Sequence, residues 1–290
     1  MKIGRLARRI GGWEALLRTL VVAIASGSIW STAPSGALAQ TVSAPQEDVA
    51  GLRARLQPTM APPHRPMPKD VKALDQWLAS HDDRRIAERL GSDTDATGIV
   101  LDMNWEQTRI FDGAGLTVVL AYVQTLWRVA DALPAEDAKG FRDSAGVFSL
   151  YALNIVGLDG ERCADASAPG NRFQQVIDQS RPMLLYLRGL PRGDRMTIGS
   201  LSLAMEAATS DVRSDDPTLC SGGLEQYNHD LAAKGAGTAS ALPSYTAAFR
   251  DPDVWRPGQD KLRQALPSEL IRYLTTPEEE APADPATPSP

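Results

Sequence analysis

The sequence is short of the residues on which most enzyme sites are built. Two cysteines and three histidines occur in 290 residues. There is no His-Glu-x-x-His pair and no Cys-x-x-Cys, so zinc hydrolysis, thioredoxin-type redox work and c-type haem attachment lose their usual signatures. There is no Gly-x-Ser-x-Gly elbow and no Ser-x-x-Lys, which removes two standard serine nucleophiles. Gly113-Ala114-Gly115 is too little glycine to cradle a phosphate. No cofactor and no metal is expected on these grounds. Asn-x-Ser/Thr acceptors are also missing, which takes away one sign of a eukaryotic secretory origin.

Long apolar runs are missing too, and this bears on the amino terminus. Met1 to Thr19 carries Lys2, Arg5, Arg8, Arg9 and Arg18 against one acid, Glu14. The apolar stretch Leu20–Ala25 follows and loosens through Ser26-Gly27-Ser28. A spanning helix needs about 20 apolar residues, and Pro34 and Gly36 interrupt well before that. Ala37-Leu38-Ala39-Gln40 places small residues where a signal peptidase needs them, so residues 1–39 read as a cleaved Sec-type signal. Arg8-Arg9 lacks the follow-up usual in twin-arginine export, which is left as the alternative route. The expected location is the bacterial periplasm or outside the cell, with no membrane span after cleavage.

Charge narrows the partners. Removing the leader takes the formal charge from −6 to about −10. An acidic product disfavours nucleic acid and anionic lipid, both of which want a basic face. In an oxidising compartment Cys163 and Cys220 are expected to pair. Closing that loop is worth about 4 kcal/mol in the chain-entropy picture.

Between the ends the apolar spacing is helical. Residues 40–69 hold six prolines and read as a flexible linker, although Val49 to Leu56 could form one short helix. From Leu116 to Leu133 apolar residues recur at 116, 119, 123, 126, 130 and 133, an alternating three-four stripe. A second helix is expected after Pro134, with Glu136 and Asp137 in its first turn, ending at Asp159-Gly160. A third starts near Asn171 and should kink at Pro182, and a fourth carries Ile198, Leu201, Met205, Ala208 and Val212. Asp216-Pro217 reads as a helix start, and Pro267 as a break in the last helix. Ile99 to Glu106 alternates like a strand but also fits a helix, and helix is favoured because no second strand is there to pair with it. The expected fold is all-α, an irregular bundle of about six to eight helices over residues 70–275, stapled by one disulfide. Residues 276–290 read as a disordered acidic, Pro-rich tail.

Three weak constellations remain as candidate sites. Asp159, Glu161 and Asp165 lie in one acidic turn before and after Cys163, but match no calcium loop. Glu225 and His229 are four apart and share a helix face, one turn from Cys220. Glu206 sits in an apolar stripe, where a carboxylate either works as an acid or base or pairs with an arginine such as Arg195, Arg213, Arg188 or Arg192. The reading that follows is an exported, non-enzymatic helical protein that serves envelope structure or binds an envelope protein partner. The alternatives are a carrier of a small apolar ligand, or a periplasmic hydrolase using Glu206 or His229.

Overall fold

A computed structural model describes residues 49–235 and 244–275. The expected leader and the acidic tail lie outside these residues. Among the described residues the chain forms eleven α-helices and no strand. They are α1 Val49–Met60, α2 Val71–Ala79, α3 Asp83–Ser92, α4 Ala96–Phe111, α5 Leu116–Asp131, α6 Ala135–Asp159, α7 Ala168–Gln179, α8 Arg181–Gly189, α9 Arg192–Thr209, α10 Leu224–Gly235 and α11 Pro252–Thr275. The all-α fold holds, with more helices than six to eight. None of them is long and apolar enough to cross a membrane.

The three-four stripe of α5 packs against α6, the most extensive helix pair in the molecule. Helix α6 also touches α7, α8, α9 and α11, so it is enclosed on most sides. That explains its composition: Ala138, Ala145, Gly146, Ser149, Ala152 and Asn154 are buried there among larger side chains, and small residues let the neighbours approach. Tyr122, Phe148 and Tyr151 stack edge to face through the centre.

The turn between α4 and α5 explains Gly113-Ala114-Gly115. Gly113 has φ +94°, in the left-handed region that favours glycine. At Gly115 a Cβ would lie 2.3 Å from Asp216 Oδ2. The bare backbone admits that carboxylate, which accepts from the Leu116 N–H at 2.8 Å and so caps α5 from 100 residues away.

Several expectations change. The stretch assigned to a flexible linker is seated on the domain from residue 49 onward. Leu52, Leu56 and Met60 recur at four-residue spacing, and all three are buried. Arg53 anchors α1 by donating to the carbonyls of Phe111 and Ala208 while lying over the Phe111 ring. Proline density concealed this helix, which runs through Pro58 without the N–H that would otherwise bond the Ala54 carbonyl. The helix expected to kink at Pro182 is two helices, α7 and α8, joined at Ser180. Pro182 sits in the first turn of α8, where a missing N–H costs nothing. Asp216-Pro217 starts a turn over 217–220 rather than a helix, with Asp216 Oδ1 accepting from the Thr218 and Leu219 N–H groups. Helix α11 runs unbroken through Pro257 and Pro267. Both prolines are exposed, so the carbonyls they leave unbonded face water.

The disulfide Cys163–Cys220 is formed, with Cα atoms 5.1 Å apart. It closes a loop that holds α7, α8 and α9. Beside it Ala164 donates to the Ala248 carbonyl and Arg250 to that of Arg162, which ties the approach to α11 to the same corner.

Candidate binding groove

The residues singled out in the sequence divide into interior structure and exposed surface. Glu206 is buried and lies 2.9 Å from Arg213 and 3.2 Å from Arg263. Asp159 is buried as well, with its Oδ2 accepting from Arg213 Nε at 2.7 Å and its Oδ1 from Gln259 at 3.1 Å. Arg213 also donates to Thr209 Oγ1. Burial works against its charge, but Asp159, Tyr151 and Glu206 outweigh it and raise the guanidinium above its ordinary value. This ionic cluster clamps the ends of α6 and α9 to α11. Of the arginines proposed to pair with Glu206, Arg213 is the one that does so, and Arg263 joins it from α11.

The acidic turn does not converge. Glu161 approaches Arg250 at 3.9 Å, away from Asp159. Asp165 caps helix α10, accepting from the Glu225 and Ser167 N–H groups. Glu225 is exposed, and among the described residues His229 meets Asp230 and the Tyr245 ring. Among the described residues no three His, Cys, Asp or Glu side chains group as a metal site.

What the sequence did not reveal is a groove of about 530 Å³ between α3, α5 and α7. Its floor is apolar, made by Leu90, Leu116, Leu120, Ala121 and Val176. Its rim carries the amides of Gln124, Gln175 and Gln179. The side chains of Gln124 and Gln179 make no hydrogen bond among the described residues, and Gln175 Oε1 accepts from Arg172. Two arginines mark the ends. At the α5 N-terminus each of the three guanidinium nitrogens of Arg172 donates once, to the Thr218 carbonyl, Gln175 and Ser221. At the C-terminus Arg128 donates once, to the Gly91 carbonyl at 3.3 Å, and has no carboxylate partner among the described residues.

Behind the groove wall lies a buried acid. The Thr125 hydroxyl reaches Glu106 Oε1 at 3.2 Å and the Ala121 carbonyl at 3.0 Å. Glu106 is wholly buried, and among the described residues its Oε2 has no hydrogen-bond partner. Burial pushes its pKa up to about 8, with Thr125 and Arg128 pulling the other way. The hydroxyl of Tyr122 is likewise buried without a partner, and burial raises it.

A smaller cleft of about 310 Å³ adjoins the Arg172 end and shares Thr117 with the groove. It holds His81, Asp83 and Asp216. Burial and the neighbouring Asp216 push Asp83 up to about 6, while Thr218 donates to it from the groove side. Asp216 is spent on the backbone amides already described, and Arg109 in the same cleft is held by Asp75 and Asp112. Beside them Asp82 caps α3 by accepting from the Arg85 N–H, as Asp216 caps α5.

No family model, curated protein or solved structure matches this chain.

Proposed function

We propose that the protein is an exported helical binding module of the bacterial envelope, and that the groove along α5 is where it holds its partner. The groove carries this reading. Its volume falls within the range of specific ligand sites, roughly 300–1,000 Å³, and it pairs an apolar floor with a few unengaged polar groups at the rim. The exposed amides of Gln124 and Gln179 and the guanidinium of Arg128, which among the described residues donates only to the Gly91 carbonyl, are placed to contact an occupant of that floor. The leader, the acidic charge of the mature chain and the Cys163–Cys220 bridge support export to an oxidising compartment. The hydrolase reading draws less support, because Glu206 faces two guanidiniums in the interior and His229 stands on the surface without a second catalytic group.

Photo-crosslinking in living cells tests this. A benzophenone side chain placed at Gln124 or Gln179 should give a discrete adduct in the envelope fraction, while the same group at exposed Arg84, on the α3 surface away from the groove lining, should not. Equal adducts at all three positions, or none at the groove, would overturn the assignment.

A further inference from the structure

The chemistry of the rim says what kind of occupant the groove suits. This step rests on the binding role just proposed. A glutamine amide offers one acceptor and two donor hydrogens. That matches the alternating N–H and C=O groups of a peptide backbone that is not already bonded to itself. A helical peptide satisfies its own backbone and would leave Gln124 and Gln179 without partners. A fatty acid has nothing for them along its chain. The residues of α5 that line the groove run from Leu116 to Arg128. At 1.5 Å per residue the stretch from Thr117 to Arg128 covers about 16 Å, the length of roughly five extended residues.

Charge settles one end. Arg172 is held by three hydrogen bonds and stands close to Asp83 and Asp216, so it has less to offer a ligand. Arg128 keeps most of its donors and lies on the exposed rim beside the Gln124 turn of α5. A guanidinium presents a planar fork that fits a carboxylate. We propose that the groove binds an extended peptide segment of about five residues, its backbone held by Gln124 and Gln179 and its acidic group seated on Arg128.

Fluorescence anisotropy with labelled pentapeptides tests the assignment on the mature, oxidised protein. One series ends in Glu, Gln or Lys with the carboxyl terminus amidated. A second ends in Ala with a free carboxylate, which separates a side-chain acid from a chain end as the source of the charge. Arg128 is exposed, so solvent screens the pair, and the acidic peptide should bind roughly two- to five-fold tighter than its Gln counterpart. That advantage should vanish in Arg128→Gln, with circular dichroism showing that the variant keeps the parent's helical fold. Methylating the central backbone nitrogens should weaken binding several-fold. Equal affinity for Glu, Gln and Lys peptides would overturn the proposal. So would a preference that survives Arg128→Gln, or tighter binding of dodecanoate or of a helix-stapled peptide. If benzophenone adducts form at the groove in cells and no peptide binds, the peptide assignment falls while the binding role stands. If neither occurs, both fall.

Discussion

Arg213 shows how much one side chain can hold in this molecule. It is 2% exposed and answers two buried carboxylates, Asp159 and Glu206, that arrive from different helices. Removing one member of a buried ion pair costs about 3–5 kcal/mol, because the charge left behind has no water. Arg213→Met should therefore lower the unfolding free energy by about that much in urea titrations, a large part of a typical total of roughly 5–15 kcal/mol. A loss below about 1 kcal/mol would mean that Arg263 and Gln259 suffice for the two acids. Glu106 gives a second test, in pH. The folded protein keeps its proton up to about pH 8, whereas the ordinary value is 4.5. The stability this supports is full below that lower value and is lost as pH rises through about 8. Asp83 and Asp102, each raised to about 6 chiefly by burial, act in the same direction over a lower window. Stability of the parent should thus fall between about pH 6 and 8, and Glu106→Gln, which cannot ionise, should flatten that interval. Parallel curves for the two proteins would show that Glu106 does not titrate there.

At the scale of the element, local pattern was a good guide where helices are long and apolar on one side. Helices α5 and α6 begin and end within two residues of where their stripes and the Pro134 boundary put them. Pattern misled where the deciding contact is distant. Helix α1 lies in a proline-rich stretch whose three apolar residues mean nothing until α4 and α9 cover them. Leu56→Ala should cost about 2–5 kcal/mol, the range for emptying a filled core site, as read from chemical denaturation. A neutral result would return α1 to the status of a loosely attached linker. Asp216-Pro217 was misread for the same reason: its carboxylate is spent on its own turn and on the start of α5, and nothing near it in sequence announces the second of these. The groove was invisible because its walls come from residues 87–91, 116–128 and 172–179, and no segment alone is unusual. In the sequence Arg128 is simply the first charge after the uncharged run from Gly113 to Trp127. The interior ion pair of Glu206, by contrast, was legible as one of two uses for a carboxylate in an apolar stripe.

For the molecule as a whole, the disulfide and the groove belong to one arrangement. The bridge fixes the turn that carries Thr218 and Ser221, and both of these hold Arg172 at the groove's end. Helix α7, which supplies Gln175 and Gln179, lies inside the loop that the bridge closes. Reduction should then loosen the groove before it unfolds α5 and α6, whose largest contact is with each other. On the proposed export an oxidising compartment would supply the bridge, and the bridge holds the turn beside the groove. Native mass spectrometry of the protein released gently from the envelope of a bacterial host tests that chain of dependence most directly. The account predicts a chain starting at Gln40, two hydrogens lighter than the reduced form, carrying a non-covalent adduct that is lost when Leu120→Trp fills the groove. A retained leader, two free thiols, or an adduct indifferent to Leu120→Trp would contradict it.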